Sequence, residues 1–240
     1  MTELYRPDWA LPAGVQARYS GRAGGVSVAP YDTLNLGDHV GDNPQAVVEN
    51  RARLLAQLPG CDDIQWLEQV HGIDVAEARP QAPVVCADAS VSAAAGVACA
   101  VLTADCLPVL FCARDGSRVA AAHAGWRGLA GGILTETLKQ FSDPGDVLVF
   151  LAPAIGPEAF EVGPEVREAF AWASDACFRA GQGDRLYADI YALAREQLQQ
   201  AGVTSVTGGT ECTFSQPQQY FSYRRDGVTG RQVSLIWRSL

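Results

Sequence analysis

Between residues 97 and 123 the chain runs through three apolar stretches, 97–102, 107–112 and 119–123, broken by Thr103-Ala104-Asp105-Cys106 and by one short polar turn. Stretches this short and this continuously apolar predict strands buried on both faces. The flanks add to the pattern. Residues 15–28 predict two short strands around the glycine loop 21–25. Asn43-Pro44 followed by Ala46, Val47, Leu54 and Leu55 predicts a capped amphipathic helix with Pro44 at its first position. Residues 64–75 are strand-like, interrupted at His71-Gly72. Further on, the spacing predicts a helix over 129–141, a strand over 147–151, and helices over 164–173 and 187–201, the last closed by Gly202. A terminal hairpin is predicted from strands 220–224 and 232–237 around a turn at 226–230. Strands and helices alternate in the middle of the chain, with strand pairs at its ends, which points to a mixed α/β class.

Composition limits the function classes. At 240 residues, with no internal repeat and no linker-like break, the chain reads as one domain over 1–240. A chain of this size buries roughly three-quarters of its unfolded surface and needs no staples. The formal net charge is −9 and the basic residues are scattered apart from Arg224-Arg225. Polymeric nucleic acid needs clustered cations, so it is not expected as a partner. Lys139 is the one lysine and falls on an expected helix surface, which leaves Schiff-base chemistry without a nucleophile. The start has no basic segment followed by an apolar core, and no stretch is long enough to span a bilayer. Seven cysteines, several inside apolar runs, fit a reducing cytoplasm better than a disulfide framework.

The chain has three histidines. His71 and His123 each sit where a strand gives out, the usual place for site residues on a rigid scaffold. His39 lies in a polar loop and reads mainly as a solvated side chain. Cys106 follows Asp105 between two apolar runs. Because burying a carboxylate is costly without partners, this dipeptide is expected at a cleft, although free cysteines are often small core hydrophobes. The spacings among His71, Cys106 and His123 match no short zinc signature. Two imidazoles and a thiolate would leave a fourth position open, as catalytic zinc requires. Such a cation would keep Cys106 ionised and lower the pKa of a bound water. Gly125-Trp126-Arg127-Gly128 opens a helix and suits an anion, with backbone N–H groups and Arg127 as donors; packing of the glycines against a strand explains it equally well. Gly21-Arg22-Ala23-Gly24-Gly25 is a weaker version of the same idea. Arg224-Arg225 after Tyr220-Phe221-Ser222-Tyr223 suits an aromatic cleft or a solvated hairpin.

Three segments carry a resemblance: Trp66-Leu67-Glu68-Gln69-Val70-His71-Gly72, Thr103-Ala104-Asp105-Cys106-Leu107-Pro108-Val109-Leu110 and Ala121-Ala122-His123-Ala124-Gly125-Trp126-Arg127-Gly128. They are supported by Leu34-Asn35-Leu36-Gly37, Pro153-Ala154-Ile155-Gly156-Pro157 and Phe221-Ser222-Tyr223-Arg224-Arg225-Asp226. Over nearly its whole length the chain resembles the YfiH family, also called the multicopper polyphenol oxidase or laccase-like family. The resemblance implies a mixed α/β sandwich, two sheets inside flanking helices in α-β-β-α layers. It implies one zinc on His71, Cys106 and His123, with Cys106, His123 and Asp105 as catalytic residues. Arg22, Asn35, Gly125, Trp126, Arg127, Gly128, Arg224 and Arg225 are the expected substrate and phosphate residues. The activities it implies are phosphorolysis of purine nucleosides (adenosine, inosine, guanosine, methylthioadenosine), deamination of adenosine, and oxidation of phenols. Gly21 departs from a common threonine, and Ala152 from a common glycine.

A multicopper site needs around ten ligands, mostly imidazoles, which three histidines and one methionine do not supply. Phenol oxidation is therefore expected only from adventitious copper in the zinc site. Phosphorolysis needs a held phosphate, a stabilised oxocarbenium-like sugar and a polarised leaving purine, and the motifs suit it. The His-x-Glu and Pro-Cys-x-x-Cys deaminase motif is absent, so any deamination would be independent of it. Asp105 is the first candidate proton donor. A Cys106–His123 hydrolase acting on an amide, and a non-enzymatic binding module, are the alternatives.

Overall fold

The three apolar stretches become the centre of two stacked sheets. The computed structural model describes residues 2–239. The first sheet has the order Leu4–Tyr5, Val15–Ser20, Gln232–Arg238, Gly96–Thr103, Cys61–Gln65. The second runs Ser205–Gly208, Val147–Leu151, Leu107–Ala113, Val119–Ala124, Ala89–Ser92, Val75–Glu77. Smaller sheets form from Glu161–Val162, Leu186–Ala188 and Phe178–Ala180, and from Leu67–Glu68 with Val85–Cys86.

Alternation along the strands divides the core. In Gly96–Thr103, Val97, Cys99 and Val101 face the second sheet, where they meet Leu110, Cys112 and Val119. Ala98, Ala100 and Leu102 face outward with Val233, Leu235 and Trp237, against Leu54 of helix Pro44–Leu55 and Leu58 just beyond it. On the far side, Val109, Phe111, Ala120 and Ala122 pack under Ile133, Leu134, Leu193 and Leu198 of helices Ile133–Leu138 and Ile190–Gln200. The result is helix, sheet, sheet, helix: a four-layer sandwich, as expected. Apolar runs read as continuous because both faces of these strands are covered.

Local chemistry sets the helix ends. Asn43 caps Pro44–Leu55 through a bond from Gln45 N at 2.9 Å, with Pro44 in the first turn. The expected helix 129–141 is two helices, Trp126–Gly131 and Ile133–Leu138, because Gly132 takes φ 99° and breaks the ladder between them. The helix expected at 164–173 stops after Ala169, as Phe170 leaves helical geometry; its side chain is fully buried. The helix expected from 187 begins at Ile190, capped by Asp189, and Leu186–Ala188 is a strand instead. The terminal hairpin is absent as such. Ser222 caps a single helical turn, Tyr223–Asp226, and Gln232–Arg238 pairs antiparallel with Val15–Ser20 and Gly96–Thr103. Nor does 26–28 form a strand: Val26 N bonds the side chain of Asn50, and the segment is loop. Among the described residues no helix is long and apolar enough to cross a membrane.

Candidate metal centre

The segment 104–106 hands the chain from the first sheet to the second, between Gly96–Thr103 and Leu107–Ala113. Turning so sharply puts Asp105 at φ 91°, a conformation costing roughly 1–3 kcal/mol unless held. It is held: the Asp105 carboxylate accepts from Thr213 Oγ1 at 2.6 Å and Arg224 N at 2.7 Å, and its carbonyl accepts from Ile155 N at 2.9 Å. Cys106 is thereby fixed at the rim of the sandwich, half-buried. Register does the rest. His123 lies opposite Pro108 in the antiparallel pair, and Ala122 opposite Ala89, which sets His123 beside Asp88. Val75 pairs parallel with Ala89, which brings the preceding loop with His71 to the same end of the second sheet.

The ligand atoms of His71, Cys106 and His123 all lie within 4.8 Å of one another, and among the described residues this is the one group of three that could hold a metal ion. His71 Nε2 is 3.8 Å from Cys106 Sγ, and the two imidazole rings meet edge to face at 4.7 Å. Around a tetrahedral zinc with bonds of about 2.0–2.3 Å, neighbouring ligand atoms stand roughly 3.3–3.6 Å apart, so small side-chain shifts bring this set to bonding distance. His123 is buried and His71 exposed, which leaves one side open. Burial pushes the Cys106 thiol up, but the charge of His123 and hydrogen bonds from His123 and His71 outweigh it and pull the thiol well down. Burial likewise disfavours the His123 imidazolium, and the Cys106 and Asp88 charges reverse this and raise it. An easily ionised sulfur between two imidazoles is the donor set that borderline-soft cations take. The residues therefore fit a single divalent ion such as zinc.

Asp88 organises the centre, and the sequence reading missed it. Fully buried, it accepts from His123 Nδ1 at 2.7 Å and His71 N at 2.9 Å on one oxygen. Its other oxygen accepts from Gly72 N at 2.6 Å and Val70 N at 3.2 Å. Burial raises the Asp88 carboxyl, but the bond from His123 and those backbone amides outweigh it and hold it below the usual carboxylate range. Two consequences follow. The bond fixes the proton of His123 on Nδ1 and turns Nε2 toward Cys106. The gathered amides also hold His71 at φ 61°, a strained position for a non-glycine residue.

The family described as "Multi-copper polyphenol oxidoreductase laccase" matches residues 16–239. This chain belongs to it. Among YfiH-family relatives, the purine nucleoside phosphorylase of Pseudomonas aeruginosa is 56% identical over 242 residues, covering 99% of each chain. Purine nucleoside phosphorylase YfiH of Escherichia coli is 55% identical over 243 residues, again covering 99% of both. A solved structure, the Neisseria meningitidis protein NMB0706, superposes with a TM-score of 0.94 at 46% identity, covering 99% of this chain and 100% of that one.

Within this YfiH-family fold the other expected residues divide by what their side chains do. Gly125 abuts the ligands: a Cβ there would lie 2.7 Å from His71 Cδ2 and 3.0 Å from Cys106 Sγ. At Gly128 a Cβ would lie 2.9 Å from Gly72 O, so both glycines let the helix pack on the His71 loop. Arg127 is exposed and stacks over Trp126 at 4.3 Å. Asn35 is buried, and its amide bonds Gly37 O, Asp42, Gly37 N and Arg231 N. Arg22 binds Asp32 and Pro217 O, and Arg225 binds Asp226 and the carbonyls of Thr213, Phe214 and Tyr220. Arg224 donates to Ala159 O and Glu161 O. These four shape the loops around the centre. Gly21 has its explanation too: a Cβ there would sit 2.3 Å from Glu3 Oε2, so the glutamate carboxylate occupies the space a larger residue would need. His39 is exposed beside Asp38.

Proposed function

We propose that this chain, as one catalytic domain over 1–240, is a zinc-dependent purine nucleoside phosphorylase of small-molecule nucleosides in the cytoplasm. The observation that carries the reading is the convergence of His71, Cys106 and His123 at an open rim, in a chain 55–56% identical to relatives named for that activity. In phosphorolysis a phosphate oxygen bonds the sugar C1′ while the glycosidic C–N bond breaks; its electron pair goes to the purine nitrogen, which takes up a proton. Zinc, when bound by these three side chains, supplies Lewis-acid polarisation of an oxygen at the reacting centre. Asp88 orients His123, and Gly125 leaves room for the ligands to close. Asp105 has both oxygens engaged by Thr213 and Arg224. Its evident work is holding the 213–224 segment beside Cys106, which weakens its candidacy as proton donor. Trp126 and Arg127 directly follow Gly125 at the start of their helix, and this position beside the ligands suits contacts to the nucleoside.

A second reading, phenol oxidation by several coppers, has the family's description in its favour. Against it stands the ligand supply, since one group of three among the described residues falls short of the around ten donors such a cluster takes. The test is the purified zinc-loaded protein with inosine and adenosine, with and without phosphate, and products separated by chromatography. Phosphate-dependent release of free base is expected. Base release indifferent to phosphate would replace the phosphorylase reading with a hydrolase, and inosine appearing from adenosine would add deamination.

A further inference from the structure

The arginines around the centre differ in how many donors they have left. Arg22 and Arg225 spend theirs on carbonyls and an adjacent aspartate. Arg51 donates to Leu36 O and pairs with Asp38. Arg224 lies over Phe160 and donates to two carbonyls from Nη1 alone, but its side chain is exposed. Arg231 uses only Nη1, bonding Thr229 O and Gly230 O at 3.0 Å each. Among the described residues its Nε and Nη2 have no partner and no carboxylate pairs with it.

Its position is set by the fold. Gln232 is the register partner of Thr103, so Arg231 stands at the strand end beside the 104–106 turn that carries Asp105 and Cys106. Its backbone is tied at both ends, N–H to Asn35 Oδ1 at 2.9 Å and carbonyl from Leu36 N at 3.1 Å. The stem lies on Gly37, where a Cβ would come within 2.8 Å of Arg231 Cγ. Two buried hydroxyls, Thr103 Oγ1 and Thr229 Oγ1, also lack partners. Burial draws the guanidinium below its ordinary value, with the charges of Cys106 and Asp105 opposing the shift. A divalent ion on two neutral imidazoles and one thiolate carries a net charge of about +1, and Asp105 is already engaged. The rim therefore has an excess of positive charge and a half-buried fork of N–H donors without an acceptor. Planar forks of this kind take oxyanions in two parallel bonds.

We propose that Arg231 is the anion-binding side chain of this centre, its free Nε–H and Nη2–H forking onto inorganic phosphate. Naming the anion as the phosphorolytic phosphate rests on the phosphorylase reading; the binding of an oxyanion does not. Arg127 and Arg224, whose Nε and Nη2 likewise have no partner among the described residues, are both exposed, where solvent screening leaves little binding energy.

The test is calorimetric titration of inorganic phosphate into the zinc-loaded wild type and the Arg231→Gln, Arg231→Lys and Arg127→Gln variants, with zinc content measured on each. Arg231→Gln is expected to weaken phosphate by about tenfold or more, Arg231→Lys by less, and Arg127→Gln by under about threefold. The backbone bonds of residue 231 do not involve its side chain, so the fold and zinc content are expected to survive. Should Arg231→Gln lose zinc, Arg231→Lys decides, and phosphate binding equal to wild type in that variant overturns the proposal. So does wild-type affinity in a zinc-replete Arg231→Gln, a selective loss in Arg127→Gln, or a wild type that binds no phosphate. If the wild type binds phosphate through Arg231 yet releases no base with it, the phosphorylase reading fails and the anion site stands.

Discussion

Replacing Asp88 by asparagine changes one oxygen into an NH2 group at a point where four donors converge. The N–H groups of Val70, His71 and Gly72 and the ring Nδ1 of His123 all bond this carboxylate. An asparagine has a single acceptor oxygen, so whichever way its amide lies, two of those donors face another donor. Each buried donor left unpaired costs about 1–3 kcal/mol, so the variant loses roughly 2–6 kcal/mol of stability. If the NH2 faces His123, the ring relieves the clash by moving its proton from Nδ1 to Nε2, the nitrogen turned toward Cys106. Loss of such an outer partner lowers metal affinity by roughly 10–100-fold. Urea unfolding of the metal-free proteins measures the first effect, and competition with a chromophoric zinc chelator the second. An Asp88→Asn protein with an unchanged urea midpoint and zinc affinity within about threefold of wild type would refute the idea that Asp88 organises the centre.

Further outcomes follow from the same geometry. Gly125→Ala places a methyl against His71 and Cys106 and is expected to lower zinc affinity at least about tenfold while far-ultraviolet circular dichroism stays native. Phe111→Ala, at a fully buried position, is expected to cost about 3–5 kcal/mol by denaturant unfolding. Burial pushes the thiols of Cys99 and Cys112 up to about 12 and that of Cys61 up to about 11. Unfolded thiols ionise near 8.5, so the stability these groups contribute is whole below that pH. It falls by about 1.4 kcal/mol per pH unit per thiol as the pH rises toward their folded values. Urea midpoints at pH 8 and 10.5 check the fall, which Cys112→Ala should make shallower. At pH 8, iodoacetamide is expected to modify exposed Cys86 and spare these three until the protein unfolds.

Much of this was legible in the sequence. Continuous apolar runs at 97–102, 107–112 and 119–122 identified the central strands because nothing polar competes along them, and Asn43-Pro44 marked a helix start because cap and proline act within one turn. Element ends were read less well. Gly132 was passed over inside a helical pattern, and Ser222 turned an aromatic, strand-like segment into a capped turn. His71, Cys106 and His123 stood out by rarity and position, but their meeting is a matter of sheet register, which spacing along the chain does not encode; the family resemblance supplied it. Asp88 left one usable signal. A lone carboxylate between Ala87 and Ala89 raises the same question about a buried charge that drew attention to Asp105. Arg231 left none, because its unpaired donors exist only by comparison with where the other arginines are spent.

One divalent ion on His71, Cys106 and His123 is expected to be required for phosphate-dependent cleavage of the nucleoside. Titrating zinc into the chelator-stripped protein while measuring free base released from inosine and phosphate tests it directly. The rate is expected to rise linearly and break at one equivalent of zinc, and Cys106→Ala is expected to show neither the rise nor the tight binding. Full activity in the stripped protein, or in Cys106→Ala, would contradict it.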